Sequence, residues 1–79
     1  MIAVHLMVAG MQTEWATAVV EMTVSRLAGV ARVFGVKSLG ICSVMFDETM
    51  ANVDEILRAV SEAGFQAQVY RPRAALTAG

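Results

Sequence analysis

The chain has 79 residues, enough for one small domain and close to the lower limit at which an apolar core alone stabilises a fold. Apolar residues make up 57% of the sequence and charged residues 16%, which argues against intrinsic disorder and predicts more apolar surface than one small core can bury. The net charge of −1, without a basic run, argues against a nucleic-acid partner.

The sequence also indicates the cellular compartment in which the protein is found. Its single cysteine, Cys42, excludes an internal disulfide framework and fits a reducing environment. No apolar run approaches the roughly 20 residues that span a bilayer, so membrane insertion is not expected. The N-terminus lacks a basic region and His5 interrupts its apolar stretch, which argues against a signal peptide. We therefore predict a cytoplasmic protein.

The first part of the chain predicts a strand followed by a helix. Residues 2–8 are rich in β-forming side chains, and Gly10 breaks the strand. The next segment, residues 13–27, fits a helix with Thr13 as its N-cap and Glu14 in its first turn. A buried stripe at the i, i+4, i+7 spacing consists of Val20, Val24 and Leu27.

The remainder predicts a hairpin, a second helix and a last strand. Strands are expected at residues 30–36, 41–46 and 65–70, with residues 37–40 as the hairpin connection. Asn52 followed by Glu55 is a capping-box pattern, and the helix that it opens should stop at Gly64.

The βαββαβ order predicts an α+β fold, a ferredoxin-like sandwich. Its four-stranded antiparallel sheet should carry both helices on one face and leave the other face uncovered. The domain should span residues 1–70, and residues 71–79 should form a flexible tail.

Several short segments resemble one known family in register, without insertion or deletion over about residues 2–70. They are Gly10-Met11, Val20-Glu21, Leu27-Ala28-Gly29-Val30, Phe46-Asp47 and Ala63-Gly64-Phe65. The chain resembles the heavy-metal-associated domains of the copper-chaperone type. That resemblance implies a loop Gly-Met-x-Cys-x-x-Cys whose two thiolates hold a soft metal. Thr13 and Ala16 stand at the two thiol positions, so we expect a degenerate loop.

The remaining metal-ligand candidates are Met11, His5, Met7 and Met45. The family's loop methionine, which Met11 matches, is usually buried beneath the site, so burial is the favoured interpretation of Met11. His5 with Met7 and Met45 could form a thioether and imidazole site for Cu(I), or the histidine could be an ordinary interface residue. The sequence therefore assigns no cofactor and leaves Cu(I) or Zn(II) as candidates. Cys42, which should face the helices, is expected to act as a small buried hydrophobe.

Strand alternation predicts an apolar group on the uncovered face of the sheet. A slip or bulge in the second strand, where Gly35 falls at an inward position, is the competing interpretation. Trp15 belongs to the exposed first turn of the first helix, either as a lid over the helix start or as a contact anchor. The candidate interaction residues are Trp15, Met7, Phe34, Val36, Met45 and Tyr70.

Two functions remain open from sequence. One is a module that has lost its thiolate site and acts by binding a protein partner or by forming a homo-oligomer. The other is a metal-binding, metallochaperone-type protein that uses non-cysteine or intersubunit ligands. No nucleophile–base pair, paired carboxylates or phosphate loop is present, so we do not expect an enzyme.

Overall fold

The computed structural model of the protein describes residues 1–71, and its elements follow the predicted order. They are β1 (Ile2–Ala9), α1 (Glu14–Ser25), β2 (Val30–Val36), a short 3-10 turn (Lys37–Leu39), β3 (Ile41–Phe46), α2 (Val53–Glu62) and β4 (Gln66–Val69). The predicted ferredoxin-like βαββαβ fold is confirmed. Most of the predicted flexible tail, residues 72–79, lies outside the described residues.

The sheet is antiparallel throughout, with the strand order β2-β3-β1-β4, so β1 and β3 are the central pair. Both helices contribute to a single apolar core on one side of the sheet. Its largest fully buried side chains are Phe46, Leu6, Met11, Ile56, Val20, Val24, Val44, Val60 and Cys42. None of the helices described within residues 1–71 is long and apolar enough to cross a bilayer.

Both helices begin at the predicted N-cap residues. The Thr13 hydroxyl accepts a hydrogen bond from the Ala16 backbone N–H at 3.0 Å, and the Asn52 side chain accepts one from the Glu55 N–H at 2.9 Å. The first helix ends two residues earlier than predicted, at Ser25. Its C-cap is Arg26. Leu27 lies in the following turn, and its partly buried side chain packs against the core.

The register of β2 does not slip at Gly35. A bulge instead lies between Val30 and Arg32, and Gly35 faces α1 from its predicted inward position. A Cβ on Gly35 would lie 2.8 Å from the Thr17 Cγ2 and 3.1 Å from the Glu21 Oε2. Glycine therefore lets α1 approach the edge strand closely, and the Glu21 carboxylate accepts a hydrogen bond of 2.8 Å from the Gly35 N–H.

We predict that Gly35→Ala lowers the free energy of unfolding by about 1–3 kcal/mol, because the added methyl group overpacks this contact. The Thr17 side chain is stiff at χ1 and its hydroxyl is already hydrogen-bonded, so it cannot easily move aside. Urea denaturation measures the loss. Ser38→Ala, on the exposed turn, is the control and should change stability by less than about 0.5 kcal/mol. Equal stability of the two variants would contradict the close packing at Gly35.

Candidate functional site

The loop between β1 and α1 keeps the backbone frame that the family resemblance predicts. Gly10 turns the chain with φ of +87°, and a Cβ there would lie 3.7 Å from the Phe65 ring. The Met11 carbonyl accepts a hydrogen bond of 2.7 Å from the Thr17 hydroxyl, and the Met11 side chain is fully buried. Contacts with the core and with α1 therefore hold the loop without a metal.

The two positions that would carry thiols do not fit a soft metal. The Thr13 oxygen is occupied by its N-cap hydrogen bond to the Ala16 N–H, and a neutral hydroxyl is a poor ligand for Cu(I). Ala16 offers only a methyl group and is 3% exposed. Next to them, the Lys37 Nζ lies 3.6 Å from the Glu14 Oε1, so the first-turn carboxylate already faces a cation. The loop is an ordinary capped helix start.

The exposed apolar surface at this end of the molecule comes from two segments. Trp15 is 74% exposed in the first turn of α1, and Leu39 is 63% exposed in the turn between β2 and β3. That turn lies beside the loop, since a Cβ on Gly40 would be 3.8 Å from the Gln12 Nε2. Sequence reasoning placed Trp15 in an exposed turn but did not single out Leu39, whose only signal is an apolar residue in a turn.

The uncovered face of the sheet carries three rows of side chains, set by the pairing of the strands. The first row is Val36, Ile41, Met7 and Gln68; the second is Phe34, Ser43, His5 and Tyr70; the third is Arg32, Met45 and Ala3. The most exposed large hydrophobic side chains among them are Phe34 at 62%, Met7 at 42%, Met45 at 42% and Tyr70 at 36%. We call this surface the open face.

Six members of the open face were not among the predicted interaction residues, and two of them, Ile41 and Arg32, add an apolar side chain and a charge to it. Ile41 pairs with both Met7 and Val36, and the same alternation that places Ser43 and Met45 outward could have identified it. Arg32 lies on the face beside Met45 because it alternates in phase with Phe34 and Val36; the bulge between Val30 and Arg32 comes only before it in the strand.

The four metal-ligand candidates do not meet at one place. Met11 lies in the core on the helix side of the sheet, whereas His5, Met7 and Met45 lie on the open face. Met45 pairs with Ala3 and Met7 pairs with Ile41, so the two methionines are offset by four residues along neighbouring strands. At about 3.3 Å per residue this offset is about 13 Å, too far for a compact site.

His5 lies between those methionines. Its Nδ1 is 2.7 Å from the Ser43 hydroxyl oxygen, which fixes the orientation of the ring. Within residues 1–71, no group of three or more His, Cys, Asp or Glu side chains is arranged to hold a metal ion.

Cys42 is fully buried, and the structure explains why it does not serve as a ligand for a metal in solvent. Burial, reinforced by the negative charge of Glu21, raises the pKa of the Cys42 thiol to about 11. The thiol is therefore protonated at neutral pH, and its thiolate, the form that binds soft metals, is suppressed.

Comparison with solved structures shows that other proteins share this fold. A copper binding domain from HMA7, a P-type ATPase, matches with a TM-score of 0.87 and 22% identity, covering 90% of this chain and 96% of that one. Oxidized MerP from Ralstonia metallidurans CH34 matches with a TM-score of 0.85 and 26% identity, covering 89% and 97%. The yeast copper transporter domain CCC2A matches with a TM-score of 0.80 and 25% identity, covering 87% and 94%. No family model and no curated protein matches the chain.

We predict that Thr13→Cys combined with Ala16→Cys creates a Cu(I) site, because it supplies the Cys-x-x-Cys spacing that the family resemblance implies at the start of α1. A helix N-terminus lowers the pKa of both thiols, so two thiolates would be available at neutral pH. Anaerobic Cu(I) titration in competition with a chelator should show one submicromolar site that the unmodified protein lacks.

The matched control is Thr13→Cys combined with Ala18→Cys, which adds the same number of thiols at the wrong spacing on an exposed helix position. The prediction requires tight binding by the first double variant alone. Equal affinities in the two double variants would show that thiol number, and not the loop frame, decides binding.

Proposed function

We propose that this chain, a heavy-metal-associated domain fold whose loop lacks both thiols, is a noncatalytic module that binds a protein partner through its open face. The resemblance predicted from sequence is confirmed by the similarity of fold to copper-binding domains and MerP. The proposal rests on one observation, the exposure of Phe34, Met7 and Met45 on a sheet face that neither helix within residues 1–71 covers.

The composition of the open face supports binding to protein. Aromatic residues, methionine and arginine are enriched in the cores of protein interfaces, and the face combines Phe34 and Tyr70 with Met7, Met45 and Arg32. Contiguous apolar patches on small monomers mark interaction sites. A partner would bury side chains that water otherwise surrounds, at about 25 cal/mol for each Å² of apolar surface.

The same residues argue against the chemistry of a thiolate metal carrier. Neither Thr13 nor Ala16 can supply a thiolate, and the thiol of Cys42 is buried and protonated. A free cysteine in this state fits a reducing compartment such as the cytoplasm, which we propose as the location.

We predict that Met45→Glu abolishes partner binding, because it places a charge in the apolar part of the open face. An extract of the cells that naturally produce the protein is passed over immobilised wild type and over the immobilised variant. The proteins that each of them retains are then quantified by mass spectrometry. At least one protein held by the wild type should be lost with Met45→Glu.

The matched control for that experiment is Met22→Glu, which makes the same chemical change at a methionine that is 53% exposed on α1. It should retain the partner. Identical sets of retained proteins for wild type and Met45→Glu, or the absence of any specific partner, would contradict binding through the open face.

A second function is metal binding by other ligands, and the geometry of His5 favours it. His5 and Met7 point to the same face two residues apart on one strand, and the Ser43 hydroxyl fixes the His5 ring. An imidazole and a thioether are suitable ligands for Cu(I).

The two functions separate in a titration of the unmodified protein. The interaction function predicts no submicromolar binding of Cu(I) or Zn(II) under anaerobic conditions. The metal-binding function predicts a submicromolar site that His5→Ala removes and that Met11→Leu keeps, because Met11 lies in the core on the other side of the sheet.

A further inference from the structure

The sheet has two edge strands, β2 and β4, and the pairing of the strands shows which backbone groups point away from it. The Val8 N–H donates to the Gly40 carbonyl and the Tyr70 N–H donates to the His5 carbonyl. Hydrogen-bonded pairs alternate along an antiparallel ladder, so these two bonds fix the phase of all three ladders. The N–H and C=O groups of Val33 and Gly35 on β2, and of Ala67 and Val69 on β4, therefore point outward.

The outer edge of β2 is protected against further pairing. The Glu21 carboxylate already accepts the Gly35 N–H at 2.8 Å, and it places a negative charge beside the strand. The bulge between Val30 and Arg32 distorts the other end of the strand. Charges and bulges are the devices that natural sheets use to prevent edge-to-edge association.

The outer edge of β4 has neither device. Residues 66–70 read Gln-Ala-Gln-Val-Tyr, without charge, proline or bulge. Within residues 1–71, no side chain caps the outward N–H groups of Ala67 and Val69. A neutral edge with free donors and acceptors is a template for another strand.

We propose that β4 pairs antiparallel with β4 of a second copy of this chain, which joins two four-stranded sheets into one sheet of eight strands. The contact is the edge of the sheet and is distinct from the open face. Two-fold symmetry makes such a contact self-complementary, since each copy presents the same groups to the other.

The outward N–H and C=O groups of Ala67 and Val69 determine which residues lie opposite each other in this pairing. If Gln68 lies opposite Gln68 of the second copy, then Ala67 faces Val69 on both sides of the axis, and all the outward groups of these two residues pair. A register shifted toward the strand start would need the Phe65 N–H, which already donates to the Val60 carbonyl at 3.2 Å. The selected register also pairs Ala67 with Val69 on the apolar side and Gln66 with Tyr70 on the open face.

The absence of charged side chains on β4 is the reason why we assign a second copy of this chain as its partner. The strand carries no charge between Gln66 and Tyr70, so antiparallel self-pairing places no like charges opposite each other. A charged foreign strand would find no complementary side chain between Gln66 and Tyr70.

The test uses the position on the two-fold axis. Gln68 is exposed and its own backbone hydrogen bonds are to β1, so a change of its side chain leaves the ladder intact. Gln68→Lys or Gln68→Glu places like charges directly opposite each other, which should weaken self-association about fivefold in sedimentation equilibrium. An equimolar mixture of the two variants should recover wild-type association or exceed it, because the charges are then opposite.

Gln66→Lys is the matched control, since it adds the same charge on the same face of β4 but opposite Tyr70; it should associate as the wild type does. Met45→Glu should also associate normally, because Met45 lies on β3, away from this edge, so failure of the open-face function leaves this result unaffected.

Amide exchange at Ala67 and Val69 should slow as protein concentration rises, while exchange at Val33 on the protected edge should not. A wild type that stays monomeric up to millimolar concentration, or a dimer that is indifferent to the Gln68 variants and their mixture, overturns the proposal.

Discussion

The close approach of α1 to β2 at Gly35 is the contact on which the rest of this structure depends. Because Gly35 has no side chain, Thr17 and Glu21 of α1 reach the edge strand, and each makes a polar contact from there. Thr17 holds the Met11 carbonyl in the loop, and Glu21 holds the Gly35 N–H. Two residues one turn apart on α1 therefore hold the loop above Met11 and close one edge of the sheet.

This arrangement explains how the loop keeps its shape without its thiols. Where a small domain depends on a metal, binding free energy is folding free energy and loss of the ligands unfolds the protein. Here Met11 is buried in the core, Phe65 packs beside Gly10, and Thr13 satisfies an N–H group at the start of α1. Since packing and capping stabilise the loop, its backbone does not depend on a bound metal.

The fold could be predicted from sequence because the signals for its elements are local and agree with one another. Thr13 and Asn52 cap the helices as their types suggest, and alternation in β1 places Leu6 inside and Met7 outside. The bulge before Arg32 could not be predicted, because it depends on how β2 meets β3 and not on a turn signal of its own.

The candidate sites were less accessible to sequence reasoning, since they depend on register across strands. Outward alternation correctly places Met7 and Met45 on the open face, but only the pairing of each with its neighbour on the adjoining strand shows that they lie two rows apart. The asymmetry of the two sheet edges is likewise invisible in sequence. It arises because Glu21 is distant from Gly35 along the chain and meets it only after α1 packs.

The two proposed contacts favour one another for a geometric reason. Gln68 of β4 and Tyr70, which directly follows the strand, both belong to the open face, so pairing of β4 with its copy would place two open faces side by side on one continuous surface. A single open face of four short strands is small beside the roughly 800 Å² per partner of a stable interface. A joined face would be about twice as large, and a bivalent partner would bind both halves with an affinity above that for either half alone. Self-association at the edge would in this way strengthen recognition at the face, without any residue of the loop between β1 and α1 taking part.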